Sequence, residues 1–164
     1  MLVDVDAGIA TITLNRPARY NALTSESLTS MQYALDQVAG DASIWVVIIG
    51  AKGNAFCSSH DLKEMRSSKD QAFHRAIFDQ CSRMMQTNQL PPQPVIARVN
   101  GIDAAVVLRY GLINEIVPGE ELESAARKLA EKIAAQSPTA IRTGKNMFYR
   151  QLNMELNAAY EFAS

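Results

Sequence analysis

Apolar positions along the chain follow two different periods. Val3 to Val5 and Ile9 to Leu14 are short runs of strand formers. Asp6-Ala7-Gly8 between them has the composition of a hairpin turn. Asn15-Arg16-Pro17 closes the second run, because proline cannot continue a ladder. After a loop over Ala18 to Leu23 the spacing lengthens. Thr24 is placed as an N-cap, Leu28, Met31, Leu35 and Val38 recur at helical intervals, and Gly40 fits a helix stop. Ile44 to Ile49 is continuously apolar and rich in β-branched residues, which predicts a buried strand. The order β-β-α-β points to a mixed α/β fold.

Helix resumes after Asp61. A longer helix is predicted over Gln71 to Gln86, with Phe73, Ile77, Cys81 and Met84 on one face and Met85 also assigned to the core. Leu90-Pro91-Pro92-Gln93-Pro94 reads as a stiff connector, and Val95 to Val99 as a short strand ended by Asn100-Gly101. Beyond it, Asp103 to Tyr110 reads as a short helix capped by Gly111, and Leu112 to Val117 as a strand or extended segment stopped by Pro118. Glu120 to Gln136 is amphipathic, with Leu122, Ala126, Leu129 and Ile133 assigned inward. Ser137-Pro138 opens a last helix running to about Asn153, with further helix possible to Ser164.

Length and composition narrow the function classes. The 164 residues fit one domain, and 48% hydrophobic with 20% charged residues is ordinary for a soluble globular chain. The net charge of -1 and the lack of a Lys/Arg-rich run argue against a nucleic-acid or polybasic membrane surface. The longest apolar run is far too short for a membrane span. The acidic start Met1-Leu2-Val3-Asp4 resembles neither a signal nor a transit peptide. Cys57 and Cys81 have no metal-ligand spacing and read as unremarkable thiols in a reducing compartment. No metal cluster, Gly-rich phosphate loop or nucleophile elbow is present, and neither His60 nor His74 has a Ser or Cys partner in such a motif.

Four strings, in this order and spacing, carry a resemblance. They are Leu14-Asn15-Arg16-Pro17 with Asn21-Ala22-Leu23; Val46 to Gly50 followed by Phe56 to Met65; Pro94 to Gly101; and Tyr110 to Pro118 followed by Ser137-Pro138 and Lys145. Together they resemble the enoyl-CoA hydratase/isomerase (crotonase) family over nearly the whole chain. The resemblance implies a crotonase-like spiral of β-β-α units with C-terminal helices. Residues 1–102 would form the N-terminal part of the core, and 103–164 a later helical part of the same domain. It also implies a homotrimer or dimer of trimers, no cofactor or metal, and an acyl-CoA or enoyl-CoA thioester as substrate. A cytoplasmic location is expected, with the mitochondrial matrix as the alternative.

The same resemblance assigns roles. The backbone N–H of His60 would be one donor of an oxyanion hole for the enolate of a thioester. Such a donor is worth about 3 kcal/mol, because it needs no reorganisation as charge develops. Arg19, Tyr20, Ser58, His60, Asp61 and Leu62 would contact the CoA portion. Ser59 departs from the pattern, since the family usually has glycine there. Blander roles are open as well: His60 as a surface histidine, Asp61 as an N-cap for the helix starting at Leu62, and Arg19 and Lys63 as solvated charges.

Val99-Asn100-Gly101 resembles the start of the family's second oxyanion segment. The glycine-rich run and the two catalytic glutamates that follow in relatives have no counterpart here. Asp103-Ala104-Ala105 instead resembles a helix much later in the family pattern, and the match ends before the family's last helices. An omitted segment between Ile102 and Asp103, or a true deletion, would account for this. The readings that follow are a hydratase or isomerase, or a non-catalytic CoA-binding or scaffold subunit without acid-base carboxylates.

Overall fold

A computed structural model describes residues 1–87, 92–101, 108, 113–152, 154–155, 158–159 and 162. Four strands form one sheet in the order β1-β2-β3-β4: β1 (Leu2–Asp6), β2 (Ile9–Leu14), β3 (Val46–Ala51) and β4 (Val95–Ala97). β1 and β2 are antiparallel, with Asp6 opposite Ile9. β2–β3 and β3–β4 are parallel, with Ile12 opposite Ile49 and Ile48 opposite Ile96. The sheet is therefore mixed, as the sequence implied. Ala7 and Gly8 both take positive φ (49° and 77°), the conformation a two-residue hairpin turn requires.

The helices among the described residues are α1 (Ser25–Gly40), α2 (Leu62–Met65), α3 (Gln71–Thr87), α4 (Leu122–Ala134) and α5 (Pro138–Gln151). Thr24 caps α1 through a reciprocal pairing with Ser27, and Ser137 caps α5 by accepting from the Ala140 N–H.

Both faces of β3 are covered, which explains its unbroken apolar run, whereas every residue of the edge strand β1 is exposed. Ala10, Ile12, Leu14, Val47 and Ile49 point into a cluster with Leu28, Met31, Leu35 and Val38 of α1 and Ile77 and Met84 of α3. The alternate residues Ile9, Val46 and Ile48 pack on the other face beneath Ala126 and Ala130 of α4. Each such large side chain is worth roughly 2 kcal/mol of burial. Further polar ties join the later helices to this core. Arg127 of α4 pairs with Asp6 at 2.7 Å, and Lys145 of α5 donates to the Gln93 carbonyl at 2.6 Å. Burial there lowers the Lys145 pKa below the usual lysine value.

Several expected boundaries move. Gly40 is the last residue of α1, and the cap is Asp41. β3 starts at Val46, because the Trp45 N–H instead donates to the Gly8 carbonyl at 2.8 Å and braces the hairpin turn. β4 ends at Ala97: the Arg98 side chain lies across Gly50 and pairs with Glu123. Met85 is 58% exposed rather than core, since only the Ile77–Met84 face of α3 meets the sheet. In α4 the small Ala130 occupies the contact and Leu129 faces outward, because close approach to β3 favours alanine. Residues 113–118 form no strand. Of the helix expected over Asp103–Tyr110 only Leu108 is described, and its Gly111 cap and the Ile102–Asp103 junction lie outside the described residues, as does most of the chain beyond Met154.

Candidate functional site

Two loops at the carboxyl ends of β2 and β3 are knitted together by main-chain hydrogen bonds. The first, after β2, contains a single 3-10 turn, Pro17–Arg19, and then two residues in left-handed conformation, Tyr20 (φ 48°) and Asn21 (φ 54°). The second runs from Ala51 to Asp61. Ser58 N–H donates to the Tyr20 carbonyl (3.0 Å), Leu23 N–H to the Ser59 carbonyl (2.8 Å), and Asp61 N–H to the Leu23 carbonyl (2.8 Å). Arg19, Tyr20, Ser58, His60, Asp61 and Leu62 are thus brought onto two adjoining segments.

The pairing of Leu23 with His60 is a single parallel bridge. It uses the carbonyl of Ser59 and the amide of Asp61, on either side of His60. In an extended segment, consecutive amides point in opposite directions. The His60 N–H is consequently outside the pairing and has no hydrogen-bond partner among the described residues. Ser59 adopts φ 72° to turn the chain at this point. That value explains why glycine is favoured here, and why a serine stores strain of about 1 kcal/mol.

The imidazole of His60 is held by shape rather than by hydrogen bonds. Its ring meets Phe78 of α3 edge to face, with centroids 5.0 Å apart, and Nε2 is buried without a partner among the described residues. Phe78 also lines an open depression of about 530 Å³ with Gln71, Ala72, His74 and Arg75. A second depression of about 540 Å³ lies between α1 and α3, lined by Thr29, Gln32 and Arg83 among others, and shares no residue with the His60 loop.

The two carboxylates nearest this loop in sequence are both engaged. Asp61 Oδ1 caps α2 by accepting from the Lys63 and Glu64 amides (3.0 and 3.3 Å), so the capping role holds. Its Oδ2 pairs with Arg16 at 3.3 Å. Burial pushes the Asp61 pKa up, but the Glu64 and Lys63 amides and the Arg16 guanidinium outweigh it and hold the group below its usual value. Glu64 accepts from the Ser25 N–H at 3.0 Å, at the start of α1. Leu62 and Tyr20 present exposed side chains, 65% and 64% accessible.

Three residues whose roles sequence reading missed lie under the site. Asn21, only 2% exposed, accepts from the Arg16 N–H (2.8 Å) and donates to the Lys52 and Ala55 carbonyls (2.9 and 2.8 Å). Arg16 donates to the Ala22 carbonyl at 2.7 Å. Asn100 donates to the Gly53 carbonyl at 2.6 Å, and its own carbonyl accepts from the Phe56 N–H at 3.0 Å. Both asparagines and Arg16 stand in the quoted strings, and a polar residue fixed between apolar runs was the available signal.

The sequence profile described as enoyl-CoA hydratase/isomerase matches residues 4–106 and, separately, 102–164. The chain belongs to this family. A rat protein named enoyl-CoA hydratase domain-containing protein 3, mitochondrial, is 30% identical over 217 aligned residues, covering 96% of this chain and 72% of the rat protein. The short-chain-enoyl-CoA hydratase of Clostridium acetobutylicum is 23% identical over 226 residues, covering the whole of this chain and 86% of that protein. A crystal structure of enoyl-CoA hydratase from Mycobacterium smegmatis superposes with a TM-score of 0.94 at 28% identity, covering 99% of this chain and 87% of that one. The fold is therefore that of the crotonase family.

Both alignments are longer than the 164 residues of this chain. The relatives therefore carry residues with no counterpart here. The two profile matches adjoin at residues 102–106 of this enoyl-CoA hydratase/isomerase family member, where the amino-acid sequence itself runs uninterrupted.

Proposed function

We propose that the chain binds acyl-CoA thioesters and directs the His60 backbone N–H at the thioester carbonyl. The observation carrying this reading is the free His60 amide, left out of a bridge that engages the residues on both sides. A fixed N–H polarises the carbonyl as negative charge grows on its oxygen. Arg19, Tyr20, Ser58, Asp61 and Leu62 would line the path of the CoA portion.

Within this reading the chain is a binding member without hydratase turnover. Hydration needs one group to activate water and another to deliver a proton. Asp61 and Glu64, the carboxylates closest to His60 along the chain, are committed to amides and to Arg16. The segment where the family resemblance implies catalytic glutamates has no counterpart. Hydratase catalysis is the second reading, favoured by the name of the Clostridium relative. Assembly as a homotrimer or dimer of trimers and a cytoplasmic or mitochondrial location are further parts of the proposal. The printed name of the rat relative supports the latter compartment, and no helix among the described residues is long and apolar enough to cross a membrane.

Calorimetric titration with crotonyl-CoA tests the binding, and the enoyl thioester absorbance tests turnover in the same sample. Expected results are saturable binding, retained in His60→Ala, weakened about 100-fold in His60→Pro, which removes the N–H, and a constant absorbance. Absence of binding by the unaltered chain, or equal losses in the two variants, overturns the assignment of the amide. Loss of absorbance selects the hydratase reading.

A further inference from the structure

We propose that Cys57 and Cys81 form a reactive thiol pair, which small-molecule disulfides oxidise to an intrachain disulfide joining the His60 loop to α3. Both cysteines are free and half-buried. They pack against the same apolar cluster beneath the sheet. Cys81 lies on the inward face of α3, between Ile77 and Met84, and one turn after Phe78. Phe78 is the residue whose ring touches His60, three residues after Cys57. The two thiols therefore sit on the two segments that the Phe78–His60 contact holds together. Charge on Cys57 is felt at Cys81, whose pKa is raised, first by burial and then by Cys57.

The environment also sets the order of events. The Cys57 thiolate attacks one sulfur of the small disulfide and expels the first small thiolate, leaving a mixed disulfide on Cys57. Cys81, held protonated by burial, then loses its proton and attacks the Cys57 sulfur, and the second small thiolate leaves. Two protein thiols are oxidised and one small disulfide is reduced to two thiols. The bond closes a loop across residues 57–81 without requiring a bound thioester, so it stands independently of the acyl-CoA reading.

The full chain would be incubated with oxidised glutathione, then assayed by thiol titration, intact mass and peptide mapping. Expected results are the joint loss of both thiols, a Cys57–Cys81 linked peptide, no retained glutathione, and reversal by dithiothreitol. Restricting the unfolded chain should raise Tm by about 5–10 °C. Cys81→Ser should trap glutathione on Cys57, because the resolving thiol is gone. Thiols that stay titratable, glutathione that persists on the unaltered chain, or a bond between two chains would overturn the pairing. A Cys81→Ser chain that takes up no glutathione would overturn Cys57 as the attacking group.

Discussion

Replacing Asn21 with alanine should unfold much of what holds the two loops together. Its side chain makes three hydrogen bonds to main-chain groups while only 2% exposed. Truncation strands the Arg16 N–H and the Lys52 and Ala55 carbonyls. Leaving a buried polar group unpaired costs about 1–3 kcal/mol, and water reaching the loop surface favours the lower end. Three such groups at the low end give about 3 kcal/mol. Alanine at φ 54° adds about 1 kcal/mol, because asparagine tolerates this region and alanine does not. The expected loss is about 4 kcal/mol, a large part of an ordinary domain's stability. In equilibrium urea unfolding, with a slope of about 2 kcal/mol per molar, the midpoint should fall by about 2 M. Asn21→Gly separates the two contributions: it keeps the backbone conformation and loses the bonds, so its midpoint should lie about 0.5 M above that of the alanine variant. A midpoint drop below about 0.5 M for Asn21→Ala would refute the claim that this amide ties the loops.

Gly101→Ala should be at least as damaging. A Cβ at φ 76° would overlap the Asn54 carbonyl oxygen and come within 3.0 Å of the Ala55 Cα, so a loss above about 3 kcal/mol is expected in the same unfolding assay. Ser59→Gly should instead stabilise the chain by about 1 kcal/mol, read as a Tm rise of a few degrees, by releasing the strain at φ 72° without touching the His60 amide. Asp61 supplies a pH signature. Its folded pKa lies below its unfolded value, so its contribution is present above the unfolded pKa of about 3.9 and disappears as pH falls through the folded pKa. Asp61→Asn should therefore lower Tm at neutral pH and leave the acid limb shallower below about pH 4, as measured by thermal melts across pH.

Periodicity made β2, β3, α1 and α3 legible, because each buries one face or both against a neighbour, whereas α5, which has no buried residue, was legible from its Ser137-Pro138 start. The run from Val46 to Ile49 is apolar throughout since α1 and α3 cover one side and α4 the other. The misplacements have the same origin. Leu129 and Ala130 are adjacent on α4, and hydrophobicity alone selects leucine, whereas close packing on β3 selects alanine. Trp45 continues the apolar run but bonds to the hairpin turn, so its strand character is lost to a contact far away in sequence. The site was legible only through resemblance: nothing in a histidine's spacing says that its amide is unpaired. Asn21 and Asn100 stayed hidden because their partners are main-chain carbonyls more than thirty residues away along the chain.

The relatives carry residues that have no counterpart in this chain, and the proposed His60 site lies on one side of the point where the two profile matches meet. Among the described residues, the groups that shape the His60 loop lie before residue 102: the Asn21 tie, the Arg16–Asp61 pair, the Phe78 contact and the Asn100-Gly101 brace against residues 53–56. The later part returns at α4, whose Ala126 and Ala130 close the opposite face of β2 and β3. β2 and β3 are thus covered on one face by α1 and α3 and on the other by α4. On the proposed reading, ligand recognition by the His60 amide and proton transfer by glutamates would be separable along the sequence, since the resemblance assigns the latter to a segment with no counterpart here. On that reading, such a join would leave binding without turnover, and a carboxylate returned to this site would have to be one that neither caps a helix nor pairs with Arg16.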